Sequence, residues 1–152
     1  LRQHSALSDP MGGDFDYDWW EGKVHQFFPV GAYSSLGLRL DGTWLEGKAP
    51  FFLYPFVDLR GIQALRYQGE QVLVAEAEYL WGFTPRWSLA LFYGVGWTWG
   101  VDDSGGNDRS VGAGGVGIRY RLARQLGLQA GIDVAKGPED EAFYITVGSA
   151  WR

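Results

Sequence analysis

The sequence predicts an all-β chain: an antiparallel transmembrane β-barrel of about eight strands. Three observations carry that expectation. Period-two alternation recurs along most of the chain, each alternating segment sets a bulky apolar face against a face of small and charged residues, and the connections alternate between long and tight. The 152 residues include 23 Gly, 8 Trp, 8 Tyr and 9 Phe but only 6 Pro, so neither a collagen repeat nor a disordered linker fits. No apolar run approaches the roughly 18 residues that a membrane-spanning helix needs.

The elements follow in chain order. Residues 1–7 are short, and a strand there brings the count to eight, an even number that suits a barrel. Residues 14–28 alternate with a change of parity: Phe15, Tyr17 and Trp19 share one phase, Trp20, Val24 and Phe28 the other, which predicts a bulge near Trp19 and Trp20. Leu36, Leu38, Leu40 and Trp44 then oppose Gly37, Arg39, Asp41 and Thr43. After a long loop, Leu73, Ala75, Ala77, Tyr79, Trp81 and Phe83 oppose Val72, Val74, Glu76, Glu78 and Leu80. Residues 87–99 alternate without error, with Trp87, Leu89, Leu91, Tyr93, Val95, Trp97 and Trp99 on one face. Val116, Ile118, Tyr120 and Leu122 oppose Gly115, Gly117, Arg119 and Arg121, and Leu128, Ile132 and Val134 oppose Gln129, Gly131 and Asp133. In the last strand Phe143, Ile145, Val147 and Trp151 oppose Tyr144, Thr146 and Gly148.

Segments 8–13, 46–70, 101–110 and 136–141 read as polar or Gly/Pro-containing loops, whereas 83–86 and 123–125 read as tight turns. Outer-membrane barrels show this asymmetry, with short turns on the periplasmic side. The faces argue in the same direction. A small soluble barrel fills its interior with bulky apolar side chains, but here the small face holds Gly with Glu, Arg and Asp, and the bulky face is almost wholly apolar. Trp81, Phe83, Trp87, Trp97, Trp99 and Trp151 sit at strand ends, where interfacial girdles belong.

Charge and motifs exclude several functions. Thirteen Lys and Arg against eighteen Asp and Glu give a net charge of −5, the wrong sign for a protein that binds nucleic acid through its phosphates. With no Cys there is no disulfide, thiolate nucleophile or Cys-based metal site. Gly112 to Gly117 spells a dinucleotide fingerprint, but alternation rather than helical spacing follows it. Gly42 to Lys48 imitates a phosphate loop, with Ala49 where a Ser or Thr would hold magnesium. His4 and His25 have no partner at helical spacing and no Gly-x-Ser-x-Gly elbow is present, so no catalytic residue, metal or cofactor is expected. Asp102–Asp103 and Glu139–Glu141 read as solvated loop charge. Glu76 and Glu78 share the inward face and need a cation there. Lys23, Arg39, Arg119 and Arg121 on other strands are candidates, as is Arg60 from the long loop.

The segment from Gly47 to Phe52, followed by Asp58-Leu59-Arg60-Gly61-Ile62 and Arg66-Tyr67, resembles the sixth outer loop of the BamA/TamA outer-membrane barrel superfamily, also called the bacterial surface antigen family. Glu78-Tyr79, Phe92 to Gly96, Gly115 to Arg119 and Ile132 to Ala135 resemble its later strands in order. Tyr144 to Trp151 resembles its C-terminal signal strand, with Tyr144, Val147 and Trp151 as the marker positions. The resemblance implies a loop folded back into the lumen, with Arg60 of the Arg60-Gly61 pair held by acids on the inner wall. Glu78 matches one such acid, whereas Gly94 stands where the family carries an Asp, which leaves Glu76 as a second partner; Arg119 and Asp133 complete the expected lumen charges.

The sequence departs from the family pattern in lacking its periplasmic repeat domains and the first half of its usual sixteen strands, so a single barrel domain over 1–152 with outer loop 46–70 is expected. Two geometries stay open: a closed small barrel with the loop above it, or half of a sixteen-strand barrel completed by a second copy or by an N-terminal half. The expected setting is a bacterial or organelle-derived outer membrane. Expected partners are outer-membrane lipid and lipopolysaccharide, and the barrel assembly machinery that inserts the chain. The implied function is insertion or transport of polypeptide or lipid, without enzymatic activity; the alternative is a structural barrel that anchors a partner.

Overall fold

Backbone extension follows the alternation closely. A computed structural model describes residues 2–6, 17–47, 49–100, 109–123 and 128–148. They form β1 (Arg2–Ala6), β2 (Tyr17–Pro29), β3 (Ser35–Gly47), β4 (Gln71–Gly82), β5 (Trp87–Trp99), β6 (Arg109–Ala123), β7 (Leu128–Lys136) and β8 (Glu141–Gly148), with a single 3-10 turn at Phe51–Leu53 in the long loop. The eight strands make one antiparallel sheet in chain order, so every neighbour is a hairpin partner. β1 and β8 are its two edges, and no ladder joins them among the described residues.

The parity of each strand decides its faces. Leu38, Leu40, Leu91, Tyr93, Val116, Ile132 and Ile145 are exposed on one face, while Asp41, Glu76, Glu78, Arg119 and Asp133 are buried on the other. A single geometric fact shows that the second face is concave. β4 and β7 are three strands apart, about 14 Å in a flat sheet, yet Arg60 Nη1 lies 2.6 Å from Glu78 on β4 and 3.3 Å from Asp133 on β7. The sheet therefore curls around the loop that carries Arg60.

That loop, between β3 and β4, builds the apolar core. Val57 and Leu59 pack with Val72, Val74 and Val111, and Ile62 and Tyr67 close over them. Burying a Val or Leu contributes about 1.5–3 kcal/mol each, enough to hold the loop down against its chain entropy when several act together. Two inward glycines of β5 make the close approach possible: a Cβ on Gly94 would stand 2.5 Å from Leu59 Cδ2, and one on Gly96 would collide with Val57. The loop is fastened at its base where Val57 N–H donates to the Tyr67 carbonyl, at 2.9 Å.

Two expectations need correction. β2 pairs with β3 without interruption from Tyr17 to Pro29, so no bulge lies at Trp19–Trp20; Trp19 faces inward and Trp20 outward. The register shift that does occur lies between Arg121 and Ala123, where β6 meets β7. Residues 136–141 are no long loop, because β7 and β8 are joined by 137–140 alone, closed by the Gly137 N–H to Asp140 carbonyl bond. The dinucleotide-like run lies within β6, where Tyr93 on the outer face lies over Gly112 and Gly114.

Candidate functional site

Arg60 stands at the centre of the concave face. Its Nε donates to Glu76 Oε1 at 3.0 Å, and its Nη2 pairs with the same oxygen. Nη1 reaches Glu78 Oε2 at 2.6 Å and Asp133 Oδ2 at 3.3 Å. Below the guanidinium lies the Phe92 ring, 3.6 Å from Cζ to the centroid. Gly61 continues the anchor: its N–H donates to the Tyr144 hydroxyl at 2.9 Å. Its φ of 91° and the 3.2 Å at which a Cβ would stand from both Ala135 and Gly137 disfavour a side chain there.

Two arms extend from this centre. Toward β7, Arg119 forms a two-pronged pair with Asp133, Nη2 to Oδ2 at 2.8 Å, and also lies 3.7 Å from Glu78. Toward β2, Arg39 Nη1 is 3.3 Å from Glu76, its Nη2 2.7 Å from Asp41 and 3.5 Å from Asp58, and His25 Nε2 is 3.3 Å from Asp41. Glu76, Glu78 and Asp133 are almost completely withdrawn from solvent, at 5, 2 and 0% exposure. Buried carboxylates are tolerable only when each is paired and hydrogen-bonded, and here every one meets at least one guanidinium.

A second fastening is exposed. Arg66 Nε donates to Glu139 Oε2 at 2.8 Å and the Tyr67 hydroxyl to Oε1 at 3.1 Å, tying the loop to the β7–β8 turn. The Arg66 guanidinium and then the Tyr67 hydroxyl hold the Glu139 carboxyl below its ordinary range.

Of the residues singled out in the sequence, the structure brings Arg60, Gly61, Glu76, Glu78, Arg119, Asp133 and Tyr144 together. Lys23 turns to Glu21 at 2.7 Å. Val147 lies on the opposite face of β8 from Tyr144 and is exposed, and Trp151 and Asp102–Asp103 fall outside the described residues. Sequence reasoning missed Tyr144 as the acceptor for Gly61, Phe92 beneath Arg60, and the Arg39–Asp41–His25 arm. The shared inward parity of positions 39 and 41 was the available signal for that arm. Among the described residues, no group of three or more His, Asp or Glu is placed to hold a metal ion.

No protein-family model matches the chain, and a comparison with curated proteins finds no match.

Proposed function

We propose that this chain is a transmembrane β-barrel domain of an outer membrane, of the assembly and translocation type that its loop and strand motifs resemble, and that it acts in inserting or transporting polypeptide. One observation carries the membrane reading. From Trp20 to Phe28 on β2, Leu36 to Trp44 on β3, Leu73 to Trp81 on β4, Trp87 to Trp99 on β5, and Leu128 to Val134 on β7, the outward positions hold no charged residue. The outward charges on β2 to β8 sit at the long-loop end, at Asp18, Glu46, Lys136 and Glu141. Charge-free outward walls bounded by aromatics match what lipid demands. Trp87 and Trp97 are ten residues apart on β5, about 33 Å along a strand and about 25 Å along the normal of a barrel tilted near 40°.

The edges β1 and β8, which no ladder joins among the described residues, support a larger assembly or closure in lipid, where open edges are not tolerated. The ion-paired loop favours a second reading, a static barrel that anchors a partner. The test is refolding into liposomes, flotation, and the rate at which an unfolded client barrel inserts. Leu91 lies mid-strand on the outward face, so Leu91→Arg should cost about 2–4 kcal/mol of folding in lipid; a neutral effect refutes the membrane reading. Insertion of the chain with no acceleration of the client refutes the insertion role and leaves the anchor.

A further inference from the structure

The turn between β4 and β5 carries a cation that the concave network does not use. Arg39, Arg60, Arg66 and Arg119 each meet a carboxylate, whereas Arg86 donates from Nη1 to the Tyr120 hydroxyl at 3.0 Å. Position 86 continues the inward parity of the buried Ser88 and Ala90, yet its guanidinium reaches Tyr120, which shares the outward parity of Val116 and Ile118. The backbone that carries it is fixed on both sides. The Thr84 hydroxyl oxygen accepts from the Arg86 and Trp87 N–H groups at 3.3 and 2.9 Å, and the Arg86 carbonyl accepts from the Arg121 N–H at 2.8 Å. The Tyr120 ring packs against Trp87 with centroids 4.7 Å apart. Trp81 and Phe83, both exposed, extend the aromatic surface along the end of β4.

We propose that Arg86, Tyr120 and Trp87 form a binding site for the headgroup of an anionic phospholipid in the leaflet at the short-turn end. The inference rests on the membrane reading, since only a sheet embedded in lipid presents Trp87, one boundary of the charge-free wall, to headgroups. The hydrogen-bonding chemistry fits a phosphodiester. A guanidinium has five N–H donors in a fork that matches phosphate oxygens, and Tyr120 engages only Nη1. Because the Tyr120 hydroxyl accepts from Arg86, its own proton stays available for a phosphate oxygen. Trp87 and Trp81 supply the amphipathic rings that sit at headgroup level. The wider charge distribution gives the preferred lipid its sign. Three Asp or Glu fall in each of 7–17, 46–70, 100–109 and 136–141, whereas none falls in the short-turn segments 29–35, 82–87 and 121–128, whose charged residues are Arg86, Arg121 and Arg124. Clustered Arg without countercharge attracts anionic lipid.

The experiment uses the full chain refolded into phosphatidylcholine vesicles that contain phosphatidylglycerol brominated on its acyl chains, with tryptophan quenching as the readout of local enrichment. Flotation and heat-modifiable mobility measure insertion independently. Phosphatidylglycerol should be enriched at the protein about fivefold over phosphatidylcholine, the weight of one Arg near an anionic surface. The enrichment should fade in concentrated salt, because the screening length falls from about 10 Å at 0.1 M to about 3 Å at 1 M. Arg86→Gln should abolish it, and Tyr120→Phe should lower it without changing any charge, which a diffuse basic surface would not do. Lys136→Gln, which removes a cation paired with Glu141 at the long-loop end, should leave it unchanged. An inserted chain that shows no enrichment, whose enrichment ignores either Arg86→Gln or Tyr120→Phe, or that loses as much in Lys136→Gln overturns the site and leaves the membrane reading standing. If Arg86→Gln does not insert, Tyr120→Phe, which keeps the ring against Trp87, decides alone. A wild-type chain that does not float overturns the membrane reading and the site with it.

Discussion

Arg60→Ala tests the centre of the concave face most directly. Three buried carboxylates lose a partner, but not equally. Asp133 keeps its two-pronged Arg119 pair and Glu76 keeps Arg39 at 3.3 Å, whereas Glu78 is left with Arg119 at 3.7 Å. The cost is therefore that of one orphaned buried carboxylate, about 3–5 kcal/mol, rather than three times that amount. The assay is urea unfolding of the lipid-refolded chain, followed by tryptophan fluorescence and read from the midpoint at constant slope. The orphan argument also fixes a second variant. Glu78→Gln alone should destabilise, because it weakens a working ion pair, yet in the Arg60→Ala background it should restore stability, with a coupling of about 1–3 kcal/mol. An Arg60→Ala cost below about 1 kcal/mol, or a double variant no more stable than Arg60→Ala, refutes the reasoning.

Gly61→Ala should lower stability by at least the roughly 1–2 kcal/mol of a left-handed non-glycine residue, with further loss from crowding against Ala135; the same unfolding assay reads it. Gly96→Val places a side chain where Val57 packs, so the loop should be displaced and trypsin should cut faster after Arg66. The Glu139 fastening sets a pH dependence. Hydrogen bonds from Arg66 and then Tyr67 hold its carboxyl below the ordinary carboxylate range in the folded chain, so the fastening is present above that range and is lost as the pH falls through the lowered value. Hydrogen exchange over 62–67 should then accelerate in wild type relative to Glu139→Gln, and less so at high salt, since the pair is exposed.

The strands were legible because alternation is local. Residues 87–99 need no tertiary information to be read as β5, and β3 to β8 announced their faces. β2 failed for a physical reason. Trp19 points inward at the long-loop end and lines the cavity that Pro55 and Phe56 cover, so aromatics occupy both of its faces and imitate a phase change. Val72 and Val74 break the small-and-charged rule on the inner face for the same reason: the core formed by Val57 and Leu59 covers them. A loop's landing place has no periodicity of its own, and its trace in the strand is the pair of inward glycines, Gly94 and Gly96, that Leu59 and Val57 approach.

The charge network was half legible, and the missing half explains the shape of the sheet. Inward parity together with the need for countercharge picked out Glu76, Glu78, Arg119 and Asp133. It could not tell which cation would serve which acid, because that depends on how far the sheet curls. Without Arg60, a β2-to-β4 arm ending at Glu76 and a β6–β7 arm that reaches Glu78 through the 3.7 Å approach of Arg119 would share no member among the described ion pairs. Arg60 touches carboxylates of β4 and β7 at once, and Gly61 adds the bond to Tyr144 on β8. Adjacent positions of one loop thus draw strands up to four places apart toward a common point. The curl of the sheet is stabilised by the loop, so loosening Arg60 and Gly61 should flatten the sheet at its β7–β8 side before it unfolds β3 to β5.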